Sequence, residues 1–287
     1  MKVSILKDGF FLFWSVVNVR SMIKLIARLT VRNSFFETKF FIKILIIKMY
    51  INPCNGQKKE YNEDRINRRW IMLEIRNLEK SFDPKQVLFG VNFQAQPGRI
   101  LGLVGKNGAG KTTIFHSILK FLDYQGEIWL DGQEIDQETY AQIGYLPEER
   151  SLMPKLTVLE QVRYLAMLKG MNAKEVKEKL PQWMEKLEVK GKLTDKIKSL
   201  SKGNQQKIQL IITLMHEPDL IILDEPFSGL DPVNTELLKR VILKEKERGA
   251  IIIFSDHVMT NVEELCDDIL MIRDGRVVLH GPVQDVR

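Results

Sequence analysis

Between residues 105 and 112 the chain reads Gly105-Lys106-Asn107-Gly108-Ala109-Gly110-Lys111-Thr112, directly after the apolar run Ile100-Leu101-Gly102-Leu103-Val104. Glycines, a lysine and a hydroxyl at this spacing, between a strand and a helix, suit the holding of a polyphosphate. Glycine permits backbone angles closed to other residues, so successive N–H groups can turn inward around an anion. A helix starting at Lys111 brings its positive end, roughly half an elementary charge, to the same spot. Lys111 is expected to reach the outer phosphates, and the Thr112 hydroxyl to sit on magnesium.

A second segment, Asp219-Leu220-Ile221-Ile222-Leu223-Asp224-Glu225-Pro226, reads as a short buried strand ending in two carboxylates. A buried carboxylate is costly unless paired or bound to metal, so Asp224 reads as a ligand on the magnesium side, direct or through water. Glu225 is expected to point the other way along the strand and to polarise an attacking water as a general base. The plain alternative is a strand running into a solvated acidic turn. Between the two segments lies Leu200-Ser201-Lys202-Gly203-Asn204-Gln205-Gln206-Lys207, followed by apolar residues of helical length. Ser201 is expected to cap that helix. Alone it would be an ordinary amphipathic helix, and its order behind the glycine loop and ahead of the acidic strand gives it meaning.

That order, continued by Ser228-Gly229-Leu230-Asp231 and Ser255-Asp256-His257, resembles the ATP-binding subunit of ABC transporters over residues 72–287. The resemblance implies an α/β P-loop NTPase fold: an ABC-type ATPase core with an antiparallel β subdomain and an inserted helical lobe, at about 147–204. It implies ATP and Mg2+ as ligands. Phe82 falls where the family places an adenine-stacking ring. Gly105 to Lys111, with Thr112 and Thr113, match the phosphate and magnesium site, Asp224 the metal acid and Glu225 the catalytic carboxylate. Ser201, Lys202, Gly203 and Asn204 match the signature that closes over ATP bound to the opposite subunit. His257 matches a histidine contacting the γ-phosphate, and Asp231 the loop coupling the two sites of the dimer.

Three departures bear on subfamily. Glu148, within Ile143-Gly144-Tyr145-Leu146-Pro147-Glu148-Glu149-Arg150, replaces the usual glutamine of the mobile loop; it can still meet magnesium or water but cannot donate a hydrogen bond. Lys202 and Asn204 stand where glycine and glutamine are commonest, and Phe82 replaces the commoner tyrosine, keeping the ring face. These variants resemble bacterial exporter ATPases of the sodium-efflux or ABC-2 type. The resemblance implies a homodimer or heterodimer of ATP-binding subunits on the cytoplasmic side of the cell membrane, working with separate membrane-spanning permease subunits met by the surface from Tyr145 to Leu156. A soluble ABC ATPase acting on ribosomes or DNA is the rival reading. A single ATPase domain, the lack of long heptad repeats and the charge of the domain speak against it. A P-loop kinase or GTPase is weaker still, since no Asn-Lys-x-Asp guanine motif occurs and the segment from Leu200 to Lys207 would go unexplained.

The 287 residues carry a formal net charge of +6, but residues 1–71 hold 14 Lys and Arg against 5 Asp and Glu, leaving 29 against 32 for the remainder. The domain is thus mildly acidic, and its charge gives no case for nucleic-acid binding. Cys54 and Cys266, the two cysteines, lie either side of the boundary, so a disulfide framework is not expected. The apolar runs of residues 1–71 are too short, or too broken by Lys and Arg, to span a bilayer. Three readings compete for this basic extension: a membrane-surface segment, a poor signal peptide, and sequence upstream of the true start. The third is favoured, because Met72-Leu73-Glu74-Ile75 starts cleanly as a strand and codons for Arg68-Arg69-Trp70 can spell a purine-rich ribosome-binding sequence. Relatives with an accessory C-terminal domain would continue beyond Arg287.

Strands are expected at 73–78, 88–95, 126–130, 219–223, 250–254 and around Val277-Val278-Leu279, with helices at 111–122 and near 234–248 in a right-handed α/β pattern. Thr157 should cap a helix ahead of Val158, Val162, Leu165 and Leu168. His116 reads as surface or packing, and His216, near a helix C-terminus, as favourably placed against the dipole when protonated.

Overall fold

A computed structural model describes residues 72–136, 139–149 and 151–286; the expectations for residues 1–71 lie outside the described residues. The chain opens with β1 (Leu73–Phe82) and β2 (Lys85–Ala95), an antiparallel hairpin in which Leu73, Ile75 and Leu78 are buried and Arg76 and Asn77 exposed. Next comes β3 (Ile100–Val104), whose first four residues are all buried. Near-continuous apolarity marks a strand covered on both faces. Helix α1 (Lys111–Ile118) follows, then β4 (Gln125–Leu130) and β5 (Gln133–Glu134), which complete a four-stranded sheet of order β2-β1-β4-β5.

The second sheet begins with β6 (Ile143–Leu146). Three helices then form the inserted lobe and its return: α2 (Val158–Leu168), α3 (Ala173–Lys186) and α4 (Lys202–Leu214). Thr157 and Glu160 make a reciprocal capping box at the start of α2, Asn172 caps α3, and Ser201 caps α4 by accepting from Asn204 N. Each such cap contributes about 1 kcal/mol by satisfying an N–H that the helix cannot. After the lobe come β7 (Leu220–Asp224), α5 (Pro232–Glu247), β8 (Ile251–Ser255), the short α6 (Met259–Leu265), β9 (Asp268–Arg273) and β10 (Arg276–Pro282). The six strands run in the order β10-β9-β3-β8-β7-β6, parallel except for β10.

Two cores flank this sheet. One packs its face against the lobe and α5, through Val158, Val162, Leu180, Ile208, Ile211 and Leu238. The other fills the space between the two sheets and around α1, with Phe115, Ile114, Leu88, Ile128 and Ile253. Buried glutamines of α4 tie the lobe to the sheet: Gln206 Nε2 donates to Pro226 O at 3.2 Å, and Gln209 Nε2 lies 3.5 Å from the carbonyls of Pro147 and Glu149.

The fold departs from the expected elements in four places. Helix α1 stops at Ile118 rather than 122, because Lys120 takes a left-handed φ of 49° that breaks the helical run. Residues 143–146, for which no element was expected, form a strand; Ile143 to Leu146 pair in parallel with Leu220 to Leu223. Strand β9 has charged residues at both ends and becomes a strand through β3 on one side and β10 on the other. His216 is not a protonated dipole partner. Its Nε2 lies 3.3 Å from Ile143 O, so Nε2–H donates, and burial, with Lys169 next, lowers its pKa to about 3. A buried imidazole beside a lysine is held neutral.

Candidate functional site

Parallel pairing brings the C-terminal ends of three neighbouring strands to one edge of the sheet. Leu103 of β3 stands beside Ser255 of β8, which stands beside Asp224 of β7. The segments that leave these strand ends are therefore gathered: the glycine loop after β3, Glu225 after β7, and Asp256 and His257 after β8. Ligands collect at this edge in open parallel sheets because the next helices aim their N-termini there.

Two of the loop's glycines show what its shape requires. Gly110, the N-cap of α1, has φ 110°, a conformation that residues with a side chain rarely adopt. At Gly105 any Cβ would come 2.5 Å from Ile272 O, so the loop can lie against β9 only if that side chain is absent. Lys106, Asn107 and Gly108 are exposed, whereas Ala109 is buried and its N–H closes the turn onto Lys106 O at 3.0 Å. Lys111, 7% exposed, donates from Nζ to Gly105 O at 2.7 Å, so its ammonium is folded into the mouth of the loop. Thr113 is half-buried, its carbonyl accepting from Ser117 Oγ.

Asp224 is 2% exposed, and both its oxygens are occupied: Oδ2 accepts from Thr112 Oγ1 at 3.1 Å and Oδ1 from Ser255 Oγ at 2.6 Å. Neutral hydroxyls, not cations, hold this buried charge. A polyphosphate-bound magnesium suits such a place, since that ion uses one or two carboxylates and completes its shell with phosphate and water. Among the described residues there is no cluster of three or more His, Cys, Asp or Glu able to hold a metal unaided. The donor set fits a cation that arrives with its substrate.

Glu225 does not extend the strand, as the alternating pattern had suggested. Strand β7 ends at Asp224, and Glu225 turns left-handed at φ 48°, its N–H held near Ser255 by both O and Oγ at 3.1 Å. The turn, not the pleat, directs its carboxylate, whose Oε2 lies 3.2 Å from His257 Nδ1. Glu148 shares this field. Burial, then the carboxylates of Glu225 and Asp224, raise its pKa, with Lys111 opposing. Repulsion among three carboxylates marks a position where a cation is welcome. Sequence reasoning assigned no role to Ser255; the signal for it was a hydroxyl ending an otherwise apolar strand.

Other expected residues lie elsewhere. Phe82 sits at the tip of the β1–β2 hairpin, 45% exposed, with the Lys80 ammonium 5.0 Å from its ring centre. The turn half of that hairpin borders the loop, since Leu88, which pairs with Lys80, would meet a Cβ on Gly110 at 2.7 Å through Cδ2. Ser201, Asn204 and Asp231 line a separate cavity with Lys190, Lys207 and Asn234. Here Ser201 Oγ accepts from Asn204 N and Nδ2, at 3.3 and 2.9 Å, while Asn204 Oδ1 accepts from Lys190 N at 2.9 Å. Asp231 accepts from Asn234 N at 2.9 Å, a bond that, with the Asn234 side chain, holds its pKa below the usual carboxylate range. A Cβ at Gly203 would lie in ordinary contact with Asn234 Nδ2, at 3.4 Å, and Lys202 is exposed.

The profile of the family described as ABC transporter matches residues 88–228. An uncharacterized ABC transporter ATP-binding protein of Bacillus subtilis (strain 168), YhaQ, is 43% identical over 217 residues, 75% of this chain and 73% of the relative. The lipopolysaccharide export system ATP-binding protein LptB of Haemophilus influenzae is 30% identical over 222 residues, 75% of this chain and 92% of its own. A solved ATP-binding subunit of an ABC transporter superposes with a TM-score of 0.70 at 33% identity, covering 75% of this chain and 92% of that one.

Proposed function

Since the chain belongs to the ATP-binding subunits of ABC transporters and is an ABC-type ATPase, we propose that it hydrolyses magnesium ATP in a head-to-tail dimer and so drives export through separate membrane-spanning subunits. The observation carrying the reading is Asp224, a buried carboxylate that among the described residues is held by the Thr112 and Ser255 hydroxyls, at the strand edge from which the loop of Lys111 leaves. That arrangement supports a phosphate-bound cation, which Asp224 Oδ2 and the intact Thr112 hydroxyl would hold in place of their mutual hydrogen bond.

In this reading Lys111 leaves the Gly105 carbonyl for the β- and γ-phosphates, and the loop N–H groups neutralise the remaining charge. Asp224 and Thr112 would hold the magnesium, with Glu148 near enough to join them, and the ion would supply charge neutralisation for the phosphates. Glu225 orients the attacking water, and His257, hydrogen-bonded to Glu225 through Nδ1, offers its other nitrogen to the γ-phosphate. Ser201 to Asn204 face the nucleotide of the partner subunit, Asp231 couples the two sites, and Phe82 stacks on adenine. No helix among the described residues is long and apolar enough to cross a membrane, so transport calls for a permease. Glu148, Glu149, Pro154 and Lys155 are the exposed part of the surface proposed to meet it, for Leu146, Leu152 and Met153 are buried. Export is supported by the departures at 148, 202 and 204 and by the named export role of LptB.

The test is to tag the protein in its native host, extract membranes in mild detergent and identify what co-purifies. A multi-spanning permease in stoichiometric amount is the expected result. Recovery only with ribosomal or DNA-associated proteins would replace transport with the rival reading.

A further inference from the structure

His257 stands on a three-residue connection between Ser255, the end of β8, and Met259, the start of α6, and its side chain is 61% exposed. Asp256, next to it, is 3% exposed. Its carboxylate reaches across the histidine: Oδ1 accepts from Val258 N at 2.8 Å, and Oδ2 accepts from Asn261 Nδ2 at 2.8 Å. Asn261 N in turn donates to Val258 O at 3.1 Å. The histidine is thus the apex of a loop closed from both sides by one carboxylate and one amide. Among the described residues no lysine or arginine pairs with Asp256, and the nearest ring nitrogen, His257 Nδ1, lies 3.8 Å from Oδ1. Burying an unpaired carboxylate is costly, which a purely structural turn would avoid with serine or asparagine.

We propose that Asp256 and Asn261 are a positioning pair for His257, fixing its backbone so that Nδ1 meets Glu225 and the opposite nitrogen is presented to the γ-phosphate. Both acceptors facing Nδ1 are carboxylate oxygens, so Nδ1 carries the hydrogen that Glu225 receives. The inference rests on the role given to His257 above.

A double-mutant cycle on the full chain tests it, reading ATP turnover and KM separately. D256A should lower kcat by about tenfold with KM for ATP changed less than about threefold. In the H257A background, D256A should lower kcat by less than about twofold further, because its effect passes through the missing ring. The swap D256N with N261D exchanges donor and acceptor, keeps the bond, and should restore kcat to within about threefold. If D256A folds poorly, N261A, on a half-buried helix position, serves in the same cycle. Equal losses from D256A with and without His257, or no loss at all, would overturn the pair while leaving His257 its role. Wild-type turnover by H257A would sink both.

Discussion

The two ends of the proposed catalytic machinery are built in different ways. At the phosphate loop, Lys111, Thr112, Asp224, Glu225, Ser255 and His257 come from segments separated by up to about 150 residues and meet only because β3, β8 and β7 are parallel neighbours. At the other end, the bonds of Ser201 and Asp231 are local caps, each to a residue three positions on. The first is a product of the whole fold and holds its buried charge with its own hydroxyls. The second is two exposed helix starts, and a nucleotide held against it would have to be brought by another subunit. At the first end, loss of Glu225 should therefore stop chemistry without loss of ATP binding or assembly, and at the second assembly should fail without loss of ATP binding to the single subunit.

The largest effect should come from E225Q. Turnover should fall by about 10²–10⁴-fold, the usual worth of a positioned base, with ATP affinity kept within severalfold; near-normal turnover would break the assignment. K111A should weaken ATP binding more than about tenfold, at least 1.4 kcal/mol, measured by nucleotide titration, and an unchanged Kd would count against the loop. S201A at the other end should cost about 1 kcal/mol of stability through the lost cap and lower turnover. Its ATP affinity as a dilute single subunit should stay as in wild type, and a loss there would erase the distinction between the ends.

The smallest effect on turnover belongs to neither end. His216, faced by Lys169, Arg248 and Ile143 O, stays neutral when folded down to about pH 3 but ionises near its ordinary value when unfolded. The unfolded chain binds the extra proton, so stability should be lost as pH falls below about 6.5, by up to about 1.4 kcal/mol per unit. H216Q should flatten that slope in denaturant titrations at pH 5 to 7 and leave turnover at pH 7.5 within about twofold. An identical slope would show the imidazole to be solvated.

Local features are legible in the sequence by itself. The glycine loop, the Thr157 and Ser201 caps and the apolar run into Asp224 all express themselves within a few residues, and the structure has each where expected. Features that escape such reading depend on partners far along the chain. Strand β6 is four residues and β9 is bounded by charge, so neither has a periodicity of its own, and β7, β3 and β10 make them strands. Glu225 looks like the next residue of a strand because nothing in its type signals a left-handed φ. His216 looks like a dipole partner because its burial comes from elements on either side of it.

The left-handed turn at Glu225 also bears on how such a position changes over generations. A glutamate at φ 48° is held where asparagine or aspartate sits more comfortably. Selection for stability alone would drift this position toward asparagine, and under the role proposed for Glu225 selection for turnover would keep the longer acid there. A duplicated copy freed from hydrolysis should therefore lose this residue early and gain thermal tolerance as it does, so E225N should unfold at a higher temperature than E225Q.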